Sequence, residues 1–371
     1  MQNTSESGRK NPLLPANQLS RLAAVEVVLP PYVYRQEEIL AVLTEEYRPL
    51  GDRVDRDTLA RFCANTNVQT RHFALPIEEY AALTDFTKAN DAYIKVALDL
   101  GEATLRQALD AAGIEPEEVD LVATTTVTGL AVPSLEARLA HRVGLREDVK
   151  RVPLFGLGCV AGAAGVARLH DYLQGWPGQV AVLLAVELCS LTFQRDDPSV
   201  PNLIASSLFG DGAAAVVAVG GQRAGGVRGP RVLGTRSRLY PDTERIMGWH
   251  IGSSGFRIML SAGVPSITER FINKDVCAFL ADHGLAIADI TTWVCHPGGP
   301  KVIDAVESAF DLPPHALART RASLARVGNL SSVSVLDVLR DTLSAPPPEG
   351  ALGLMIAMGP GFCSELVLLQ W

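Results

Sequence analysis

The sequence predicts an α/β fold that is built from two similar halves. Apolar, strand-forming runs alternate with segments of helical periodicity from about residue 21 onward, which is typical of layered sheets and helices. Several features also recur in the same order about 170 residues further along, and such a period indicates a duplicated strand–helix unit. The paired features are Gly113 and Gly284, Pro133 and Pro300, Gly158-Cys159 and Gly328-Asn329, and the apolar strands near residues 180 and 351.

In the first half, proline, glycine and capping residues mark the limits of the elements. Pro30 and Pro31 end a strand over LAAVEVVLP. Asn90 is a candidate N-cap for a helix that runs to Ala112 and stops at Gly113. The other predicted elements are helices over 34–47 and 57–65, the strand LVATTTV, a helix entered at Pro133 and the strand QVAVLLAVE.

The second half repeats this order after the Gly- and Arg-rich segment 220–234. Its predicted elements are a helix from about Pro265 to Gly284, the strand TTWVCH, a helix entered at Pro300 and the strand ALGLMIAMG. We therefore expect a mobile polar tail over residues 1–20, an N-terminal half over 21–222 that carries Cys159, and a C-terminal half over 223–371 that carries His296 and Asn329.

Composition excludes several classes of function. The net charge of −8 and the lack of a Lys/Arg block argue against nucleic-acid binding. Six cysteines without CxxC spacing favour free thiols in a reducing compartment over disulfides or a zinc site. No apolar run reaches the roughly 18 residues of a membrane span, and the first 20 residues lack the apolar core of a secretion signal. We expect a cytoplasmic protein without integral membrane association or metal.

The segment VPLFGLGCVAGAAGVARLHDYLQ, residues 152–174, organises the chain around Cys159. This cysteine stands at a glycine-rich turn between an apolar strand and an Ala-rich helix. Unpaired N–H groups and the dipole at a helix N-terminus favour an anion, and such a site lowers a thiol pKa. Cys159 is thus a candidate nucleophile, although most free cysteines serve only as small buried apolar residues.

Three further features are candidate partners of this thiol. His296 follows a strand at the turn CHPGGP, Asn329 begins a helix in GNLSS, and MGPG at 358–361 is a tight loop. Histidine is the usual base beside a catalytic thiol, and an amide donor suits an oxyanion. Each also has a structural alternative: a satisfied core histidine, a helix cap and a simple turn. Cys295 beside His296 does not favour metal, because adjacent strand side chains point to opposite faces.

Together these motifs resemble the type III polyketide synthases, the chalcone synthase superfamily of the thiolase fold. GCVAG, LFGDGAAA at 208–215, CHPGGP, GNLSS and MGPG stand in that family's order and spacing over about residues 20–371. The resemblance implies a duplicated, thiolase-like αβαβα fold and a homodimer. It also implies that Cys159 carries an acyl group from acyl-CoA, while His296 and Asn329 stabilise the enolate that malonyl-CoA forms on decarboxylation. CoA thioesters would be the substrates, and no cofactor is expected.

The resemblance also implies roles for further residues. Phe209 and Phe256 match two gatekeeper phenylalanines, and Val132 matches a residue that reaches into the partner subunit's cavity. Arg61 matches one residue that contacts the phosphates of CoA, whereas Thr58 and Asn65 replace two other basic residues; Lys301 is a candidate substitute. The expected cavity positions are Val127, Thr128, Cys189, Leu191, Thr192 and Ser331, with Gly359 and Pro360 in the loop.

The chain also departs from the plant pattern. Ala357-Met358 precedes the GPG loop, Cys189 replaces a cavity threonine, and residues 243–256 resemble bacterial members. Aliphatic Val127, Val132 and Leu191 favour a fatty acyl starter and an alkylpyrone or alkylresorcinol product. The alternatives are a ketoacyl synthase that condenses once on a carrier protein and a protein that only binds acyl-CoA. A papain-like hydrolase is disfavoured, because its cysteine lies near the N-terminus.

Overall fold

Among residues 18–371, which are those that the computed structural model describes, nine strands form one mixed sheet. Residues 1–17 of the expected tail lie outside the described residues, while Leu19 and Ser20 are buried. The strands are β1 (Arg21–Val28), β2 (Tyr32–Arg35), β3 (Thr70–Phe73), β4 (Leu121–Thr126), β5 (Lys150–Phe155), β6 (Val180–Leu188), β7 (Asp211–Val219), β8 (Arg231–Leu239), β9 (Met247–Gly252), β10 (Gly255–Leu260), β11 (Ile290–Cys295), β12 (Leu352–Gly359) and β13 (Cys363–Gln370).

Helices pack on both faces of this sheet. They are α1 (Gln36–Tyr47), α2 (Arg56–Asn65), α3 (Phe86–Ala112), α4 (Leu135–Val143), α5 (Ala161–Gly175), α6 (Val200–Leu208), α7 (Val264–Asp282), α8 (Pro300–Phe310), α9 (Ala318–Val327) and α10 (Ser332–Ser344). No helix within the described part of the chain is long and apolar enough to cross a membrane. All six cysteines are free thiols.

The strand order shows the duplication that the sequence predicts. The large sheet runs β11-β12-β13-β8-β1-β7-β6-β4-β5. Reading outward from the β8–β1 junction, the first half places β1, β7, β6 and β4 in the order in which the second half places β8, β13, β12 and β11. In both halves the two middle strands are antiparallel, whereas the outer pairs β4–β6 and β11–β12 are parallel.

The elements stack as helix, sheet, helix, sheet and helix, which confirms the predicted layered α/β architecture. Helices α3 and α4 cover the first half of the sheet, and α7 and α8 cover the second. Helices α5 and α10 lie between the two halves of the sheet and touch strands of both. They meet at their N-terminal ends: a Cβ on Gly162 would lie 2.2 Å from the Ser332 carbonyl oxygen. Only glycine permits this approach.

One predicted boundary is wrong. Helix α3 begins at Phe86, and its N-cap is Asp85, whose side chain accepts a hydrogen bond from the Lys88 backbone N–H at 3.0 Å. Asn90 lies inside the first turns and instead holds the loop after β4, because its amide bonds both the N–H and the C=O of Leu130. An asparagine that bonds a distant backbone has the same local sequence signature as a cap.

Candidate active site

Cys159 lies where the sequence predicts, at the turn that joins β5 to α5. Gly156 and Gly158 adopt positive φ angles of 93° and 59°, and a short 3₁₀ turn over Gly158–Val160 leads into the helix. A Cβ on Gly158 would lie 2.6 Å from two ring carbons of Pro360. Glycine is therefore required both for the backbone conformation and for the contact with the Gly-Pro-Gly loop.

The equivalent turn of the second half holds Asn329 between α9 and α10. Its backbone pairs with the chain before β7, since its N–H donates to Leu208 at 2.9 Å and its C=O accepts from Gly210 at 3.0 Å. Its side-chain oxygen accepts from the Ser331 N–H at 2.8 Å. The side-chain nitrogen therefore points the other way and donates to the Gly298 carbonyl at 3.4 Å.

A chain of contacts connects the three predicted catalytic residues. His296 follows β11, and a Cβ on Gly298 would lie 3.5 Å from its Cδ2 and 3.7 Å from its Nε2, so Gly298 touches both His296 and Asn329. On the other side, Ser331 receives a hydrogen bond from the Cys159 Sγ at 3.7 Å. The thiol thus lines one cavity with the imidazole and the amide, which follow it in sequence by more than 130 residues.

That cavity has a volume of about 330 Å³ and a mainly apolar wall. The predicted residues that line it are Cys159, His296, Asn329, Val127, Thr128, Cys189, Phe209, Ser331, Pro360 and Lys301. Sequence reasoning missed the wall that β9, β10 and the chain beyond contribute, which includes Met247, Trp249 and Ile258. These residues carry no motif that would have marked them.

Other predicted positions lie outside this cavity. Leu191, Thr192 and Phe256 line a neighbouring surface cavity of about 270 Å³, and Phe256 packs edge-on against Trp249. Val132 is 96% exposed. Arg61 is exposed on α2, where it donates to Thr58. Gly359 is buried against the backbone of the turn that carries the thiol, and a Cβ there would lie 2.8 Å from the Leu157 carbonyl oxygen.

Burial dominates the electrostatics of the site. It raises the pKa of the Cys159 thiol to about 12 and lowers the pKa of His296 to about 4. Burial therefore disfavours both the thiolate and the imidazolium when each is considered alone. The Nδ1 atom of His296 is buried and has no hydrogen-bond partner among the described residues. A charge in this cavity requires an opposite charge or positioned donors beside it.

Glu187, which sequence reasoning also missed, lies behind the thiol at the end of β6. It is fully buried and accepts hydrogen bonds from the Val127 N–H and from the hydroxyls of Thr128, Ser331 and Ser332, at 2.6–3.3 Å. Burial raises its pKa to about 7. The sequence signal that could have identified Glu187 is a single carboxylate within the otherwise apolar run VAVLLAVEL. An acid buried in such a strand needs hydrogen-bond partners, so it indicates a polar site nearby.

Comparison with known proteins identifies the class of enzyme. Residues 15–222 match the family model "Chalcone and stilbene synthases, N-terminal domain", and residues 232–371 match the model of the C-terminal domain. The chain therefore belongs to the chalcone and stilbene synthase family, the type III polyketide synthases. It is a condensing acyltransferase that uses malonyl-CoA, and this family acts on CoA thioesters without a cofactor.

Individual relatives extend over almost the whole chain. The 1,3,6,8-tetrahydroxynaphthalene synthase of Streptomyces peucetius is 54% identical over 94% of this chain and 93% of that protein. Phloroglucinol synthase of Pseudomonas fluorescens is 30% identical over 95% and 99%. The crystal structure of tetrahydroxynaphthalene synthase from Streptomyces coelicolor matches with a TM-score of 0.89 and 32% identity over 95% of this chain and 99% of that one. None of these three is an alkylpyrone or alkylresorcinol synthase.

Proposed function

We propose that Cys159 carries the growing chain and that His296 and Asn329 activate the malonyl unit. The observation that carries this proposal is the continuous set of contacts from His296 through Gly298, Asn329 and Ser331 to the Cys159 sulfur. It brings a nucleophile and two hydrogen-bond donors to one apolar cavity, which is the arrangement that acyl transfer through an enolate needs.

The reaction follows from these groups. The Cys159 sulfur attacks the starter thioester, and CoA leaves as its thiol with the proton. Malonyl-CoA then loses CO₂, and the bonding electrons move into an enolate whose oxygen accepts hydrogen bonds from the imidazole and the Asn329 amide. The enolate carbon attacks the Cys159 thioester, the sulfur leaves, and the chain is two carbons longer. Each further round repeats these steps before ring closure.

The burial of both groups suits this sequence of steps. A buried thiolate and a buried imidazolium are each disfavoured alone, and each stabilises the other when His296 takes the thiol proton. After decarboxylation the negative charge appears on the enolate oxygen, where Asn329 donates without competing for the proton. The N-termini of α5 and α10 add their dipoles at the same place.

For the product, we propose a hydroxylated aromatic ring system assembled from malonyl-CoA. A relative at 54% identity is named for tetrahydroxynaphthalene, whose ten carbons carry oxygen in the alternating pattern of joined two-carbon units. The cavity volume of about 330 Å³ lies at the lower end of the range for sites that hold a small ligand. A long fatty acyl starter would take up much of that space before extension. Of the three aliphatic residues that favoured that starter, only Val127 lines the cavity.

Binding of CoA is assigned to the opening near Lys301. Lys301 lines the reaction cavity at the start of α8, whereas Arg61 lies exposed on α2, next to the cavity residue Phe62. We expect Lys301→Ala to raise the KM for malonyl-CoA with little change in kcat, because its charge meets a remote part of the substrate. Lys95→Ala, an exposed lysine on α3, is the matched control. An unchanged KM would contradict the assignment.

We further propose that the enzyme is a homodimer. Strand β5 is an edge of the large sheet with a half-exposed Phe155, and Val132 is almost fully exposed in the loop before α4. An open sheet edge beside exposed apolar side chains favours pairing with another chain. Sedimentation of the wild type and of Val132→Asp tests this pairing. A wild-type monomer would refute it. A cytoplasmic location stays a prediction.

The decisive experiment is mass spectrometry of the products from malonyl-CoA alone and from malonyl-CoA with acyl-CoA starters of increasing length. We expect a hydroxylated aromatic from malonyl-CoA alone. Cys159→Ala should abolish it, and Cys277→Ala, an exposed thiol on α7, should not. Alkylpyrones that lengthen with the starter would establish the fatty acyl alternative. A single β-ketoacyl product that requires a carrier protein would refute polyketide synthesis.

A further inference from the structure

A second, smaller cavity of about 80 Å³ adjoins the reaction cavity. Four residues line both of them: Cys189, Phe209, Trp249 and Ile258. The two spaces thus lie next to each other at these four residues, and one of the four, Cys189, belongs to the predicted substrate wall. The far wall comes from α1, β3 and α6, which the catalytic proposal does not use.

The wall of this side cavity contains a buried cation. Arg71 is 1% exposed, and its guanidinium donates from Nε to Gln36 at 3.1 Å and from Nη1 to the carbonyls of Ser206 and Phe209 at 2.8 and 2.9 Å. Its Nη2 is buried and has no hydrogen-bond partner within residues 18–371. A buried donor without a partner is costly, and a guanidinium binds carboxylates and carbonyl oxygens well.

Protein carboxylates do not neutralise this arginine directly. Within the described chain, no Asp or Glu oxygen lies within 4.0 Å of its side-chain nitrogens. The nearby Asp211 is engaged elsewhere, since it accepts from the N–H groups of Ala74 and Ser190 and from the Ser190 hydroxyl. Much of the remaining cavity wall is apolar, with Ile39, Val42, Leu43, Phe73 and Ile77 among its residues. It also contains Glu46 and Arg195, which neutralise each other as an ion pair.

We propose that the side cavity is a subsite for the oxygen-bearing far end of the chain attached to Cys159, and that Arg71 binds that oxygen. The inference rests on the proposed function of Cys159. A space of about 80 Å³ admits only a small group, such as the carboxylate end of the chain. A chain that begins with malonyl-CoA ends in a carboxylate, whereas a fatty acyl chain ends in a methyl group. The subsite therefore selects a malonyl starter.

Filling the side cavity tests this assignment without touching the reaction cavity. Ala205 on α6 lines the side cavity and not the reaction cavity, and Ala205→Leu adds three carbon atoms to this small space. Ala205→Ser is the matched control of nearly unchanged size. Val42→Phe fills the same space from α1 and covers the case in which Ala205→Leu does not fold. Arg71→Lys keeps the charge and removes the planar fork.

Three rates are measured for each folded variant: decarboxylation of malonyl-CoA, product formed from malonyl-CoA alone, and product formed with an added alkyl acyl-CoA starter. We expect the filling variants and Arg71→Lys to lower the malonyl-only product by about tenfold or more. Decarboxylation and products with the alkyl starter should be retained, and Ala205→Ser should match the wild type.

Two results would overturn the assignment. One is a product distribution unchanged by the filling variants. The other is an equal loss of all three rates, because the effect would then not concern the chain end. A wild-type protein that makes no polyketide at all would instead refute the proposed function.

Discussion

Replacement of Glu187 by glutamine should remove a pH dependence of folding stability whose size follows from the buried carboxyl group. The carboxyl group is fully buried behind Cys159, and burial raises its pKa from 4.5 to about 7. Glutamine has the same shape and does not ionise. Its oxygen can accept from the Val127 N–H, while its amino group donates to the hydroxyls of Ser331 and Ser332, which can reverse their roles.

The sign follows from proton linkage. Because the folded protein holds this proton more tightly than the unfolded chain, its contribution to stability is present below pH 4.5 and is lost as the pH rises toward 7. A difference of about 2.5 pKa units corresponds to about 3 kcal/mol. The wild type should therefore lose about 3 kcal/mol between pH 4.5 and 8 that Glu187→Gln keeps.

Urea unfolding of both proteins at several pH values between 4.5 and 8 measures this difference. Glu244→Gln, at an exposed position, is the control and should follow the wild-type curve. If the free energies of unfolding of Glu187→Gln and of the wild type run parallel across this range, folding does not raise the pKa of the Glu187 carboxyl group and the reasoning fails.

Three other predictions test the geometry of the site. Gly158→Ala should lower stability by about 1–3 kcal/mol in thermal melts and slow condensation, because its Cβ would meet Pro360 at 2.6 Å with φ at 59°; Gly175→Ala, with nothing within 4 Å, should be nearly neutral. Asn329→Asp should fold but lose about 100-fold or more of malonyl-CoA decarboxylation, since a donor becomes an acceptor; retained decarboxylation would remove Asn329 from the enolate site. Asp337→Ala should cost about 2 kcal/mol or more in urea unfolding, because this buried carboxylate ties α10 to Arg326 of α9 and also pairs with Arg340 of its own helix; an unchanged midpoint would show that these ion pairs do not stabilise the fold.

The order of the fold was predictable because local signals repeat in it. The apolar runs that became β4, β6, β11 and β12 are continuous and carry strand-forming residues, and glycines end α3 and α4 in the left-handed conformation. The start of α3 was misplaced, since both Asp85 and Asn90 have side chains that bond the backbone. Which backbone such a side chain reaches is decided by tertiary contacts, here the loop at Leu130.

The three turns of the site were predictable, and much of its cavity was not. A local pattern of glycine, proline or a helix start marks each of the three turns, at Cys159, His296 and Asn329. Such a pattern specifies a turn independently of the tertiary contacts around it. The cavity wall depends on where separate segments pack, and β9 and β10 place Met247 and Trp249 there without a motif. The same packing puts Leu191 and Thr192 on a neighbouring cavity.

The duplication explains why Cys159 and Asn329, the proposed nucleophile and the proposed oxyanion donor, meet although they lie in different halves of the sequence. In each half, a turn that contains glycine leads into the N-terminus of the central helix, which is α5 in the first half and α10 in the second. These two helices touch where Gly162 meets Ser332. Both positive helix ends therefore lie at one edge of the cavity, on which Cys159 and Asn329 stand. Either half alone would place one such end against water, where its field is screened. Packed together at one mainly apolar cavity, the two ends would stabilise the proposed thiolate and enolate, which burial alone disfavours.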